Sequence, residues 1–351
     1  MFKPIIKNKK YIIYDEKPVY SNDYHINSNN LKINPSLAIV MQGPLRIEEH
    51  FTYETLKIYL KSFRECKIIL STWKNEDEEE LLKIKNLGIT VLLNDLPQVK
   101  GLWNINYQIL STQNGLKLAK EMKAEYVIKT RTDQRFYESN IPEFLFNLIK
   151  AFPVYDKSAQ KSRLVTLSMN TFKYRLYDIS DMFLFGHIDD VIKFWDCSFE
   201  QRNIFPEFGN MLEYCKLRPS EIYFTSEYLA KIGHDCKWTL QDSWQTYARY
   251  FCVVDSVCVG LYWPKYSHIV NRWRNFFGQN QSLEELTFKE WFNLYVGLDN
   301  INVPENLLVN GWTEKDHLYF DENLFTDLEK KLKKTIFFRL KKLFGLNKRI
   351  N

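Results

Sequence analysis

The sequence contains six cysteines among its 351 residues, and no two of them stand at a C-x-x-C spacing. This scatter excludes the usual zinc-binding patterns and a disulfide framework, and it favours reduced, buried thiols in a cytosolic protein. No stretch reaches the length of a membrane span. The apolar run at residues 5–13 is interrupted by lysines, so we expect no signal peptide.

Both common glycine motifs for phosphate binding are missing. There is no G-x-x-x-x-G-K-[ST] sequence, and Gln42-Gly43-Pro44 is not a glycine-rich dinucleotide fingerprint. The sequence therefore argues against a P-loop enzyme and against the usual dehydrogenases. It remains compatible with a mononucleotide-type site.

Basic charge is concentrated at one end of the chain. The formal net charge is +5, but residues 330–351 hold nine basic and no acidic residues, which leaves −4 on the remainder. A mildly acidic body argues against nucleic acid as a partner. Leu332, Ile336 and Leu340 recur at helical spacing, so we expect a basic amphipathic tail, residues 326–351, on an anionic membrane surface. A frayed basic terminus and docking on a partner protein are the alternatives.

Four apolar runs alternate with helical patterns in the first part of the chain. The runs cover residues 37–41, 67–70, 89–93 and 126–130. Continuous apolar strands are typical of a parallel sheet that is buried on both faces. The β-α-β-α-β-α-β order therefore predicts an α/β fold of the Rossmann type, a mostly parallel sheet with helices on both faces. Its ligand site would lie along the carboxyl edge of the sheet.

The fourth run ends in alternating charge, namely Lys129, Arg131, Asp133 and Arg135. In a continued strand these four side chains would share one face at the carboxyl edge of the sheet. Guanidinium groups suit bidentate contacts with phosphate, and a carboxylate suits a divalent cation or a ribose hydroxyl. The pattern favours a phosphorylated ligand, with a solvated strand end and surface ion pairs as the alternative.

The second half of the chain supplies the candidate catalytic acids. Asp181 lies between apolar residues and has no capping role, so partial desolvation would favour its protonated form, which suits a general base. A carboxylate bonded to nearby backbone amides is the alternative. Glu221 opens a predicted helix, where the helix dipole by itself favours an acid. The many aromatic residues either line an acceptor pocket or, as we favour, build the core.

Four short segments, taken in order, resemble the WavE family of bacterial lipopolysaccharide and capsule synthesis proteins. The segments are residues 39–44 (IVMQGP), 130–133 (TRTD), 180–186 (SDMFLFG) and 219–223 (PSEIY). Members of this family look like glycosyltransferases of the GT-A fold. The resemblance implies a nucleotide-sugar donor, a glycan or lipid-linked glycan acceptor, and a cytoplasmic site at the inner face of the plasma membrane.

The resemblance implies that Gln42, Gly43 and Pro44 line the nucleotide pocket, and it does not settle whether Asp181 or Glu221 is the base. The other candidates come from the residue patterns above. The donor-binding candidates are Gln42, Gly43, Pro44, Thr72, Arg131, Asp133 and Arg135, and the catalytic candidates are Asp181 and Glu221. Arg131 and Asp133 stand where GT-A enzymes have the Asp-x-Asp metal motif, so an arginine replaces the first acid. A divalent cation (Mn²⁺ or Mg²⁺) at Asp133 and neutralisation of the diphosphate by Arg131 itself therefore both remain open.

Two functions follow from these observations. The leading hypothesis is an enzyme that transfers a sugar to a glycan hydroxyl, and the departure from Asp-x-Asp supports the alternative, a non-catalytic nucleotide- or glycan-binding component of an assembly complex. We expect four segments along the chain. They are an N-terminal extension (1–36), a nucleotide-sugar-binding subdomain (37–138), an acceptor-binding catalytic subdomain (139–325) and the basic tail (326–351).

Overall fold

The computed structural model describes residues 5–7, 10–12, 17–24, 36–156, 159–264, 284–297 and 308. The predicted basic tail, residues 326–351, lies outside the described residues. Strands of the main sheet are β3 (Leu37–Gln42), β4 (Lys67–Trp73), β5 (Thr90–Asn94), β6 (Tyr126–Arg131), β8 (Leu164–Leu167), β9 (Leu184–His187) and β10 (Phe251–Val254). Two small antiparallel sheets pair β1 (Ile5–Lys7) with β2 (Lys10–Ile12), and β7 (Arg135–Phe136) with β11 (Leu261–Tyr262).

The main sheet has seven strands in the order β10-β8-β9-β6-β3-β4-β5. Its strands are parallel except β9, which runs antiparallel between β6 and β8. The predicted mostly parallel α/β fold is therefore confirmed. The sheet continues across the expected boundary between residues 138 and 139, because β8, β9 and β10 extend the same sheet.

Burial along β3 explains why its sequence is a continuous apolar run. All six of its residues are buried, so both faces of this central strand are covered by protein. A helix, α3 (Ile105–Glu121), covers one face of β3 and β4. β3 pairs in parallel with β4 on one side and with β6 on the other, so the chain order reverses at this strand. Ligands bind at such a switch point in open α/β sheets.

Helices connect the strands of the first half, as the alternating pattern predicted. The other helices are α1 (Phe51–Ser62), α2 (Glu78–Lys85), α4 (Ile141–Ala151), α5 (Ile188–Trp195), α6 (Met211–Lys216), α7 (Ser220–Lys231), α8 (Leu240–Tyr250) and α9 (Phe288–Val296). α2 begins after Asp77, whose carboxylate accepts a 2.8 Å hydrogen bond from the backbone N–H of Glu80.

The aromatic residues of the second half largely form core, as we favoured from the sequence. The rings of Trp195 and Phe224 lie 4.5 Å apart, and Phe194 and Tyr228 pack beside them with no exposed surface. All six cysteines fall within the described residues, and all are free thiols. None of the described helices combines the length and apolarity needed to cross a membrane.

The contact between α3 and the sheet leads to a stability prediction at Gly115. A Cβ atom there would lie 2.5 Å from Val40 Cγ1 and 3.2 Å from Ser71 Cβ. Helix propensity alone would make Gly115→Ala stabilising by about 1 kcal/mol. We expect the clash to dominate, so that the substitution lowers the free energy of unfolding by about 1–3 kcal/mol.

Urea denaturation measures this difference. Lys117→Ala, an exposed position two residues along the same helix, is the matched control and should change stability by less than about 0.5 kcal/mol. A stabilised Gly115→Ala protein would contradict the close packing of α3 on the sheet.

Candidate functional site

A cleft of 510 Å³ opens at the carboxyl ends of β3, β4 and β6. It lies at the switch point of the sheet, where the sequence pattern predicted a ligand site. The residues around it are Gln42, Gly43, Pro44, Trp73, Leu96, Trp103, Asn104, Tyr107, Gln108, Arg131, Thr132 and Asp133. Five of the seven predicted donor-binding residues thus meet at one cleft, although they come from two distant parts of the sequence.

Gly43 allows the ends of two neighbouring strands to meet at the floor of the cleft. Its φ of 121° belongs to the region that favours glycine, and a Cβ atom there would lie 2.8 Å from Thr132 Oγ1. The Thr132 hydroxyl donates a 2.6 Å hydrogen bond to the Pro44 carbonyl oxygen, and its backbone N–H donates to the Gln42 carbonyl at 3.1 Å. Glycine is therefore required by a close approach of the chain to itself.

Gln42 contributes an oriented amide to the cleft. Its Oε1 accepts a 2.9 Å hydrogen bond from the Ser111 hydroxyl on α3. The side-chain oxygen is thereby occupied, which leaves the amide nitrogen as the group with which Gln42 can donate to a bound molecule. Gln108, which lies one turn before Ser111 on α3, also faces the cleft.

Arg131 and Asp133 form a bidentate ion pair in the wall of the cleft. Arg131 Nε and Nη2 lie 2.8 and 3.0 Å from the two oxygens of the Asp133 carboxylate. The Trp263 indole N–H donates to the same carboxylate at 3.1 Å, and the Arg131 guanidinium lies 5.5 Å from the centre of the Trp263 ring. Both charged side chains keep 22% of their surface exposed. The pair is thus a cleft feature with a fixed guanidinium, unlike the surface ion pair that the sequence left as an alternative.

The donor atoms around Asp133 do not fit a divalent cation. Both of its carboxylate oxygens accept N–H groups of Arg131, and a cation there would lie against a guanidinium of the same sign. Within the described part of the chain, no group of three or more His, Cys, Asp or Glu side chains is arranged to hold a metal ion. The arrangement fits charge neutralisation of an anionic ligand by Arg131.

Arg135 does not reach the cleft, and the prediction that it shares a face with Arg131 is wrong. β6 ends at Arg131, and the chain turns before it enters β7, so the strand alternation stops. Arg135 is 1% exposed, donates to the Thr55 hydroxyl at 2.9 Å and to the Val19 carbonyl at 2.7 Å, and stacks 4.4 Å from the Phe51 ring centre. The Arg135 guanidinium therefore stabilises the fold through these buried hydrogen bonds and the ring contact.

Thr72 also lies apart from the residues that line the cleft. Its side chain is fully buried, and its hydroxyl donates a 2.7 Å hydrogen bond to the Glu76 carboxylate. The next residue on β4, Trp73, faces the cleft instead, because successive side chains of a strand point to opposite sides.

Asp181 and Glu221 lie close enough for their charges to interact. Asp181 precedes β9 and is 3% exposed, and its Oδ2 has no hydrogen-bond partner among the described residues. No backbone amide in the described part of the chain donates to that oxygen. Glu221 lies in the first turn of α7, and burial together with the Asp181 carboxylate raises the pKa of Glu221 to about 7.

A third acid, Asp178, accompanies this pair. Burial raises the pKa of Asp178 well above its ordinary value, and Arg175 Nη1 lies 3.5 Å from one of its carboxylate oxygens. Carboxylates that share a buried region hold protons to higher pH than isolated ones. Glu221, beside Asp181, can therefore take up or release a proton near neutral pH.

Sequence reasoning missed the aromatic walls of the cleft. The rings of Trp73 and Tyr107 lie 5.3 Å apart at 81°, and Trp103 is half exposed. Trp103 and Asn104 both have positive φ values, 50° and 63°, and such backbone strain is concentrated at functional sites. The sequence offered one signal for these walls. Successive side chains of a strand point to opposite faces, so with Thr72 in the interior the next residue of β4, Trp73, is expected to face the cleft.

Comparisons with known proteins give one family match and several structural similarities. A family model described as WavE lipopolysaccharide synthesis matches residues 37–306. No curated protein matches the chain. A glycosyltransferase involved in the glycosylation of the major capsid of PBCV-1 is 13% identical, with 49% of this chain and 71% of that chain covered and a TM-score of 0.29.

Two further solved structures are similar to this chain over a smaller share of their own length. The mannose-1-phosphate geranyltransferase from Thermus thermophilus is 16% identical, with 38% of this chain and 40% of that chain covered and a TM-score of 0.24. A cytidylyltransferase from Leptospira borgpetersenii serovar Hardjo-bovis is 13% identical, with 47% of this chain and 65% of that chain covered and a TM-score of 0.27. The chain thus spans about two fifths to two thirds of these two proteins.

The different environments of the two arginines lead to a stability prediction. Arg135→Met leaves several buried acceptors without their donor, so we expect the free energy of unfolding to fall by about 2–4 kcal/mol. Arg131→Met is the matched control and should cost less than about 1 kcal/mol, because its ion pair is partly exposed. Chemical denaturation of both variants tests this, and equal losses would contradict the structural role of Arg135.

Proposed function

The chain belongs to the WavE lipopolysaccharide synthesis family, and we propose that it is a glycosyltransferase. It moves a sugar from a nucleotide-sugar donor to a hydroxyl of a glycan or lipid-linked glycan in lipopolysaccharide or capsule synthesis. The observation that carries the proposal is the guanidinium of Arg131, fixed by Asp133 in a cleft at the switch point of the sheet. A guanidinium in a fixed orientation suits a diphosphate, whose charge increases as it leaves the sugar.

The donor occupies the cleft in one direction under this proposal. The diphosphate lies against Arg131, and the amide nitrogen of Gln42 donates to the donor from the cleft floor. The nucleoside extends toward Trp73 and Trp103, since aromatic faces suit the stacking of a base. Arg131 neutralises the diphosphate by itself, and we assign no step to a divalent cation.

The acceptor reacts on the side of Asp181. The acceptor oxygen attacks the anomeric carbon while its proton passes to the Asp181 carboxylate, and the bond between that carbon and the diphosphate oxygen breaks with its electron pair going to the diphosphate. Burial and the nearby Asp181 carboxylate raise the pKa of Glu221 to about 7, so Glu221 exchanges its proton beside the base near neutral pH. This direct displacement inverts the anomeric centre.

A non-catalytic nucleotide- or glycan-binding role is the second candidate. The observation that favours it is the engagement of both Asp133 oxygens by Arg131 where GT-A enzymes have a metal-binding acid. In either role, we propose that the basic tail holds the protein to the anionic inner face of the plasma membrane. Co-sedimentation with liposomes, with and without residues 330–351, tests the tail separately.

Donor hydrolysis separates the two roles. The full-length protein is first screened by thermal shift with UDP-, GDP-, dTDP- and CMP-sugars, because a ligand that binds the native state raises the melting temperature. The nucleotide sugar that binds is then incubated without acceptor, with Mn²⁺ or with EDTA. A transferase slowly releases nucleotide and free sugar, and a binder leaves the donor intact. No shift with any nucleotide sugar would remove the proposed function.

The charge of Asp133 leads to a prediction on activity. Asp133→Asn retains the shape of the side chain and removes the anion that orients Arg131. We expect turnover to fall at least about a hundredfold, the size of effect seen when one preorganised electrostatic contact is lost. Asp95→Asn, an exposed acid beyond β5, is the control. Near-normal donor hydrolysis by a folded Asp133→Asn protein would contradict the donor-site assignment.

The role of Asp181 is tested through the separation of chemistry from binding. Asp181→Ala should abolish transfer and leave the affinity for the donor nearly unchanged, because a base acts in the transition state. The wild-type rate should rise with pH through about 7, because Glu221 loses its proton there and its negative charge then favours proton transfer from the acceptor to Asp181. Glu221→Gln removes the group that titrates and should abolish this rise near pH 7. Full activity of Asp181→Ala with an inactive Glu221→Gln would exchange the two roles.

A further inference from the structure

Lys129 is a lysine whose side chain is completely buried below the cleft. It stands on β6 two residues before Arg131, and none of its surface is exposed. Its Nζ donates a 2.5 Å hydrogen bond to the backbone oxygen of Asp181 and lies 4.3 Å from the centre of the Trp195 ring. A buried ammonium is costly unless partners replace its hydration, and a carbonyl oxygen and an indole face do so here.

Lys129 interacts with both halves of the proposed site. The charges of Asp181, Asp133 and Glu221 favour its ammonium form, and the charge of Arg131 opposes it. Burial is the largest effect and lowers the pKa of Lys129 to about 7. The amino group therefore interacts electrostatically with the donor-side ion pair and with the acid pair.

The hydrogen bond from Lys129 fixes the backbone at the proposed base itself. Two further bonds hold the preceding residue, from the Thr166 hydroxyl to the Ser180 carbonyl at 2.8 Å and from the Ser180 N–H to the Thr171 hydroxyl at 3.1 Å. The bond from Lys129 holds the backbone oxygen of Asp181, and it comes from the strand that also carries Arg131. The two halves of the site are thereby joined by one side chain.

We propose that Lys129 is a positioning residue for sugar transfer, which sets the direction of the Asp181 side chain through the backbone and, in its ammonium form, favours the ionised form of Glu221. This inference rests on the proposed function of the cleft. The charged groups that face the acid pair come from three places, β6, the segment before β9 and the start of α7. They are Lys129, Arg175, Asp178, Asp181 and Glu221.

The test compares Lys129→Met with Lys85→Met, an exposed lysine on α2, in the full-length protein. Release of nucleotide from the donor identified by thermal shift is measured from pH 5 to 9. Lys129→Met removes a cation beside the acid pair, so protons are held more tightly and the rise in rate moves to higher pH. We expect kcat at pH 7 to fall about tenfold or more, with KM for the donor unchanged.

The direction of the shift separates this role from a merely structural one. A loss of folded protein lowers the rate at every pH, whereas loss of the cation moves the rise in rate to higher pH. An unchanged pH profile in folded Lys129→Met would overturn the proposal. Failure of the wild-type protein to bind or hydrolyse any donor would instead overturn the proposed function.

A second measurement covers the case in which Lys129→Met does not fold. Asp181→Asn retains the backbone carbonyl and removes the charge, so the pKa of Lys129 should fall, as followed by ¹⁵N NMR of the lysine side chains. Asp95→Asn serves as the control. If the pKa of Lys129 is unchanged in Asp181→Asn, the two charges do not interact and the proposal is overturned.

Discussion

The close approach of β3 and β6 at their carboxyl ends determines the geometry of the cleft. Gly43 lets the chain pass within contact of Thr132, and two hydrogen bonds from Thr132 tie the ends of the strands together. The chain after Arg131 therefore turns sharply, and this turn brings Asp133 back onto the guanidinium two residues before it. A side chain at position 43 would separate the strands and release the ion pair from its fixed orientation.

The paired Arg131 and Asp133 hold a guanidinium in one orientation at the cleft. A guanidinium remains protonated throughout the physiological pH range and presents its donors in a plane. Left alone on a flexible side chain, it would sample many orientations. The bidentate carboxylate and the Trp263 indole limit these orientations, so the cost of ordering the arginine is met when the chain folds, before any ligand arrives.

The fold was largely predictable because its strands are apolar runs, whereas the site depends on contacts that the local pattern does not contain. The runs at residues 37–41 and 126–130 lie within β3 and β6, since burial on both faces leaves little choice of residue type. Arg135 was misplaced because strand alternation was extended through a turn. The contacts of Trp263 and Lys129 could not be predicted for another reason. Their partners, Asp133 and Asp181, lie 130 and 52 residues away, and no periodicity connects them.

The contacts of the buried Arg135 show that the folded unit extends beyond the residues that the family model matches. The family match begins at residue 37, yet the Arg135 guanidinium donates to the carbonyl of Val19, and Tyr24 donates to the carbonyl of Tyr137. Lys61 contacts the Ser21 carbonyl, and the Ser21 N–H donates to Glu54 at 2.6 Å. A fragment trimmed to the family boundary would keep a buried cation and lose part of its solvation by protein oxygens. The segment from residue 17 to 24 therefore supplies carbonyl oxygens that replace water around the buried Arg135 guanidinium. This segment lies outside the part of the sequence that the family model matches.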